Sequence, residues 1–524
     1  MAQVPPPAEE SGAYFAPEFE SWPEVLAGNV VGAAGHDVDI AGRRLSVLRE
    51  EGRREALKLA REWSSRHGIP MGDRVEPGRT VVATGHQPDL YHPGVWLKAF
   101  ALQRIARDSG SVGLDLVVDT DGFDAVGLAA PRLTPRPVRA EVPLASGAGV
   151  SCYRFAPAPS QQDVESFARQ GAELLAGLPH AGPAECFARY CEGLRVASRE
   201  AGDLSEAMTV ARRRYEGPAG TDYLELPVSV MAQSTAYARF VVHLAQDAQA
   251  FRDCFNGELT AYREASGIRT AAQPFPDLDS EGSVVELPFW SSTETRRLPL
   301  WAERSGSSVK LRTRDGLLCE LPSDPDEAVE AFLAQAGPVY PRAVAMTSFV
   351  RLVLSDLFIH GTGGGRYDSL TDAVIRGFFG IEPPAFVVAS ATLHLPLELP
   401  DVSDDDLSAV RQRLHRLRHN PDQALAELGE KWGTEHDRIR AAELAAEKAS
   451  LVERIGRPDA ERKALGLEIR RANERLAELI APVADACAAE AERLAELRAG
   501  REVLADRTYP FCLWEPGEVA RLVP

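Results

Sequence analysis

The stretch TVVATGHQPDLYHPGVWLKAFALQRIARDSG, residues 80–110, decides the fold. TVVATG is short, β-branched and closed by Gly85, which reads as a buried strand. From Trp96 onward the residues read as a helix that stops at Gly110. LDLVVDTD, residues 114–121, is a second strand candidate of the same kind. Strands alternating with helices predict an α/β domain built on a parallel sheet.

Working outward, residues 1–20 are rich in Pro, Glu and Ala and predict a loose arm with no signal peptide. Residues 44–66 carry Leu45, Leu48, Ala56, Leu57, Leu59, Ala60 and Trp63 on a charged background, a helix that Gly68 stops. Residues 161–260 read as mainly helical, an insertion or flank. Residues 283–321 return to strand character, and Pro288 and Pro299 mark edge strands or strand ends. Residues 340–395 are again α/β and end in the apolar run AFVVASATLHL.

The last hundred residues differ in kind. Ser403 caps a helix with acids in its first turn and bases in its last, as the helix dipole prefers. Residues 434–455 and 458–505 read as long helices. In the second, an approximate seam runs from Leu465 through Ile469, Ala472, Leu476, Leu479 and Val483 to Leu504, with a kink expected at Pro482. The chain thus divides into an arm and helix to residue 75, an α/β core over 76–400, a helical coiled coil over 401–505 and a tail over 506–524. The core carries a helical and connecting insertion at about 160–330.

The 524 residues include 58 Lys+Arg and 77 Asp+Glu, a net charge of −19. That balance argues against a nucleic-acid binder, which needs a basic footprint. No apolar run approaches the length of a membrane span. The Cys count is 7, an odd number scattered without a C-x-x-C, which fits reduced thiols in a cytoplasmic protein.

Three groups of residues are candidates for chemistry. Gly85, His86, Gln87, His92, Gly94 and Lys98 lie at the first strand–helix junction. A His-Pro-Gly at a helix start exposes backbone N–H groups and the positive dipole end. The small Gly94 leaves room for a phosphate or carboxylate, and His86 and His92 can donate to charge developing on an oxygen. Asp119, Asp121 and Asp124 follow the second strand, where open α/β sheets bind ligands. They can hold an amine or act as a base. They lack the spacing of a calcium loop, and no metal is assigned to them. The run from Arg351 through His360, Gly361, Gly363, Gly364, Gly365 and Arg366 to Asp368 reads as a glycine-rich loop feeding a helix, a cradle for an anion. It is neither a dinucleotide fingerprint nor a Walker loop. Arg351 and Arg366 are its natural anion partners.

At these residues the chain resembles a known family. TGHQPDLYHPGVWLKAFAL is similar to the TGQQ-x-G-L-x-x-G-P segment, with its downstream Lys, of the cysteine ligases of bacillithiol biosynthesis, the cysteine-adding enzymes. LVVDTDGFDAVGL resembles that family's acidic segment. YPRAVAMTSFVRLVLSDLFIHGTGGGRYDSL and the run to SATL resemble its proline-arginine, glycine-loop and final-strand region. The order of blocks agrees over roughly residues 78–505. His86 stands where the family has Gln, Thr120 or Gly122 where it usually has His, and no KMSKS-like loop is evident.

The resemblance implies a Rossmann-like core of nucleotidyltransferase type and a C-terminal coiled coil that makes a homodimer. It implies a ligase that joins cysteine to glucosaminyl-malate as an amide, with ATP or another nucleotide and magnesium as the cofactor. It places the nucleotide at His86, Gln87, His92 and Gly94, and substrate near Asp119, Asp121, Gly363 and Gly364. His86, His92, Asp119 and Asp121 are then the catalytic candidates. Two other readings fit the same residues: a nucleotidyl or sugar-nucleotide transferase, and a non-catalytic nucleotide sensor that docks a partner through its helices.

Overall fold

The computed structural model describes residues 11–36, 38–72, 78–429, 432–457 and 461–524. The chain is mixed α/β and divides into two units. One draws its described residues from Met1–Arg132, Ala140–Leu395 and Arg507–Pro524, the other from Leu133–Arg139 and Pro396–Asp506. Among the described residues no helix is long and apolar enough to cross a membrane.

The first unit is organised by a 6-stranded sheet. Val81–His86, Val112–Val117, Leu224–Pro227, Leu357–His360 and Phe386–Thr392 are its parallel strands. Numbered along the chain, they lie in the order third, second, first, fourth, fifth. Val81 to Ala83 and every residue of Val112–Val117 are buried, which is why these strands read as continuous apolar runs and do not alternate.

Two elements of this sheet depart from the sequence reading. Gly12–Ala16 pairs antiparallel with Phe386–Thr392, from Gly12 opposite Thr392 to Ala16 opposite Val388. The expected loose arm is therefore an edge strand over these residues, pinned by Phe15 packing on Phe19 and Trp22. The rest of the expected arm, residues 1–10, lies outside the described residues. Leu224–Pro227 is a parallel strand inside the segment read as helical. Four residues are too short to show a period, so LELP carries no strand signal against its helical surroundings.

Helices join these strands. Pro93–Ser109 starts on Pro93, whose missing N–H costs nothing there, and stops at the left-handed Gly110 (φ 66). It packs on the first and fifth parallel strands. The helix after the fourth strand begins at Thr362, earlier than the glycine run predicts, so Gly363, Gly364 and Gly365 form its first turn.

A second, antiparallel sheet contains Val284–Ser292, Arg297–Ser305, Ser308–Thr313 and Gly316–Leu321. Val339–Pro341 pairs with Val284–Ser292 on the other side, so the strand holding Pro288 is internal, contrary to the edge expected. Its ladder to Arg297–Ser305 is interrupted between Glu286 and Trp290, and that irregularity accommodates the proline.

The second unit is helical. Ser403 and Thr434 close capping boxes on Asp404–His419 and Glu435–Ile455. The long helix expected over 458–505 is two, Arg462–Leu479 and Ala481–Leu504. Pro482, in the first turn of the second helix, breaks the run where a kink was expected. Leu444, Leu476, Ile480 and Ala484 share one buried cluster, and Leu451, Leu465 and Ala472 another. The segment Arg507–Pro524, expected as a tail, belongs to the first unit. Phe511 donates its backbone N–H to the Tyr91 carbonyl and packs on Tyr91 and Trp96.

Candidate functional site

The sheet reverses its winding between the first and fourth parallel strands, which end at His86 and His360. Open α/β sheets bind ligands outside the carboxyl ends of their strands at such a reversal. The strand ends are held together by Thr84, whose Oγ1 donates to the Ile359 carbonyl at 2.8 Å. Each strand leads directly into a helix, one starting at Pro93 and the other at Thr362. The two starts differ: at the first, Pro93 has no N–H and the N–H groups of Gly94, Val95 and Trp96 all bond to His92, whereas the helix from Thr362 begins without a capping side chain.

His92 caps the first helix, its Nδ1 accepting from the Gly94 N–H at 3.0 Å. Gly94 is small for a different reason than ligand access. A Cβ there would run into the Ala391 carbonyl oxygen and the Ser390 hydroxyl, so the glycine lets the helix start lie on the fifth strand. Gly85 likewise abuts the Leu116 carbonyl, with a Cβ position 2.9 Å from it. Its own carbonyl accepts from Lys98 Nζ at 2.6 Å. Lys98 is buried on the Pro93–Ser109 helix, and its stem lies 3.9 Å from the Cβ position of Gly361. Burial holds this ammonium down to about 8, against the pull of nearby Asp115. His86 donates from Nδ1 to the Gln87 carbonyl at 3.2 Å and packs edge-on against Tyr91. Burial and the Lys98 charge push it down to about 3, so it is neutral at physiological pH. Its Nε2 is consequently an acceptor, which removes it from the donors expected for developing negative charge.

The third group divides in two. Arg351 is buried with Nη1 on Asp368 at 2.5 Å, Nη2 on Asp372 at 2.6 Å, and a further bond to the Pro384 carbonyl. His360 Nε2 meets the same Asp368 oxygen at 2.9 Å. Burial opposes ionisation of Asp368, but His360 and Arg351 together hold its carboxyl at about 2. Arg351, His360 and Asp368 therefore form an internal brace that ties the strand to the helix after it, in place of the expected anion contact. Gly364 belongs to that brace, its Cβ position lying 2.7 Å from His360 Nδ1. Gly363 is exposed, and a Cβ there would meet nothing within 4 Å. Gly361, at the N-cap, brings no capping side chain, and Arg366 is exposed on the helix.

The acidic loop also divides. Asp119 is buried and accepts from the Ser229 backbone N–H at 2.9 Å and from the Ser229 hydroxyl. Burial raises it to about 7 despite those bonds. Asp121 is half-exposed and accepts from Gln87 Nε2 at 2.9 Å and Arg297 Nη1 at 3.3 Å. Gln87 thus ties the first strand–helix junction to the acidic loop, a contact the sequence reading did not foresee. Asp124 is exposed. Asp119 and Asp121 bind different partners, and no three His, Cys, Asp or Glu side chains are placed for a metal ion among the described residues.

Arg297, Trp290 and Arg342, from the second sheet, were not found by sequence reasoning. Arg342 stacks on Trp290 at 3.9 Å and pairs with Glu286 at 2.6 Å. A buried ion cluster was missed as well. Asp115 and Glu225 sit opposite each other on neighbouring strands and share Arg212 Nη2, at 3.0 and 2.7 Å. Arg212 Nη1 also reaches Glu216, which accepts from Trp96 Nε1 at 2.7 Å. One signal was present: acids in the centre of short apolar strands, LDLV and LELP.

Compared with known proteins, the chain matches no family model and no curated sequence.

Proposed function

We propose that the crevice at the sheet reversal binds the phosphates of a nucleotide, ATP in the first instance with its magnesium. On this reading the protein is an amide-forming ligase that adds cysteine, or a related amino acid, to a sugar-acid acceptor such as glucosaminyl-malate. The observation that carries it is the uncapped helix start at Thr362 lying beside the buried Lys98 at one strand reversal. The strand order supports reading the core as Rossmann-like, and the resemblance in the glycine, acidic and Gly-loop segments supports the reaction class. Free cysteines at all seven positions suit a cytoplasmic setting. The helical unit is proposed as the coiled-coil arm of a homodimer.

The bound nucleotide would supply activation of a carboxylate. Backbone N–H groups around Gly363 and the Lys98 ammonium would hold its phosphate charge. His92 keeps its ring hydrogen on Nε2, because Nδ1 accepts from Gly94, and would donate to the oxygen that gains charge as the amide forms. Asp121, half-exposed and anchored by Gln87, would orient the amine. Asp119 is reassigned from that task to positioning, since Ser229 occupies it.

Incubation of the protein with cysteine and glucosaminyl-malate, with and without ATP and magnesium, tests the proposal by mass spectrometry. The expected product is one water lighter than its two substrates combined and forms only with ATP. No product, or turnover left intact by alanine at both His92 and Asp121, would defeat the assignment.

A further inference from the structure

We propose that Arg297, paired with Asp121, reads an α-amino acid as a zwitterion, the guanidinium taking its carboxylate and the Asp121 carboxylate its ammonium. The inference rests on the reading above only in that this rim of the crevice holds a substrate.

Arg297 stands on the antiparallel sheet but reaches the acidic loop of the parallel one. Among the described residues its side chain makes one hydrogen bond, from Nη1 to Asp121 at 3.3 Å, and its guanidinium lies 5.5 Å from the centre of the Trp290 ring. The loop is cut back to admit it. A Cβ on Gly122 would sit 2.8 Å from Arg297 Nη2. A guanidinium has five N–H donors in a planar fork, and one long bond leaves most of them for a ligand. The ion pair is solvent-accessible, with side-chain exposures of 28% and 44%, so widening it to admit a ligand costs little.

The charges present select the ligand. Arg297 and Arg342 face Asp121 and Glu286, so the patch is balanced. A phosphate would meet the Asp121 carboxylate, whereas a ligand bearing both signs finds a partner for each. Arg342 is already committed to Glu286 and lies flat on Trp290, which fixes the indole beneath Arg297. Planar, two-point capture of a carboxylate is a property of arginine that lysine does not share.

The test is a binding screen on the full chain. Thermal shift and titration calorimetry against the twenty amino acids identify the tightest, and its decarboxylated and N-acetylated analogues follow. At least one amino acid should bind, and each analogue should bind about tenfold or more weaker, the scale of one lost charge-assisted contact. Arg297→Ala and Asp121→Asn should each weaken the amino acid by a similar factor. Arg297→Lys should recover only part of the loss. Melting by circular dichroism and retained ATP binding show that the variants are folded. No binding by any of the twenty to the natural protein, or Arg297→Ala binding within about twofold of it, would overturn the proposal. An amino acid that binds through Arg297 in a protein that forms no amide would leave this inference standing and remove the ligase reading alone.

Discussion

His86 and His92, on one loop, are held in opposite tautomers. His86 gives its Nδ1 hydrogen to the Gln87 carbonyl, while His92 Nδ1 accepts from the Gly94 N–H. A carbonyl can only accept and an amide N–H can only donate, so the assignments follow from the partners. The two rings therefore differ at Nε2: a lone pair on His86 and a hydrogen on His92.

That difference predicts unequal phenotypes. His92→Asn keeps an oxygen that can cap the helix but loses the Nε2 hydrogen. Its melting temperature should stay near that of the natural protein, while amide-forming turnover falls by about a hundredfold, the usual cost of one lost oxyanion donor. Turnover and melting measured on the same preparation check this, and a parallel loss of both would reduce His92 to a cap.

If the crevice binds a nucleotide as proposed, Lys98 should make that binding sensitive to pH. Its ammonium loses its proton near pH 8 because burial opposes the charge. Below that pH the group is a cation and favours the phosphates. As pH rises through about 8 the charge is lost, and ATP affinity should fall by up to about tenfold per unit. Lys98→Met should bind ATP weakly and show no such decline between pH 7 and 9. Calorimetric titrations across that range decide it.

The glycines separate packing from binding. Gly94→Ala would push a methyl into the Ala391 carbonyl and should destabilise the protein by about 1–3 kcal/mol. Gly363→Ala meets open space within the first helical turn and should stabilise by up to about 1 kcal/mol. If phosphate lies on that turn, the same methyl should weaken ATP binding. Denaturant melts with ATP titrations separate the two effects, and unchanged ATP affinity in Gly363→Ala would remove this turn from the site.

The sequence was legible where a period or punctuation mark was strong. TVVATG, the Ser403 cap and the helices of 161–216 were all readable. What was hidden depended on partners distant in the chain. Arg351 looked like an anion ligand because nothing local shows that Asp368 and Asp372 enclose it. Arg297 and Trp290 looked like ordinary strand residues because the acidic loop they meet is remote in sequence. Gly94 and Gly363 read alike, and only the neighbouring backbone distinguishes them.

Asp119 should leave a mark on stability. Its folded carboxyl holds a proton up to about pH 7, whereas an unfolded aspartate releases it near 3.9. Between those values the folded state binds more protons, so stability declines as pH rises through this window, by at most about 1.4 kcal/mol per unit. Asp119→Asn cannot ionise and keeps an acceptor for the Ser229 N–H. Its stability should fall less steeply between pH 4 and 7. Urea melts at several pH values test the slope, and parallel curves for the two proteins would refute the assignment.

Arg212 should be the costliest side chain to remove, although it lies beneath the crevice and outside it. It serves Asp115 and Glu225, two acids brought together by strand register, and all three are buried. Burial already raises Asp115 and pushes Glu225 up to about 8 with the arginine present. Arg212→Met would leave that burial uncompensated and should cost about 3–5 kcal/mol at neutral pH. With the cation gone both folded carboxyls titrate still higher than in the unfolded chain. Glu225 is already protonated below about pH 8 in the natural protein, so the stability the variant regains relative to it as pH falls from 7 toward 5 should come from Asp115. Adding Asp115→Asn and Glu225→Gln removes the unpaired charges and should restore most of the loss at pH 7. If the triple variant were no more stable than Arg212→Met alone, the damage would lie in packing around the guanidinium and not in the acids it neutralises.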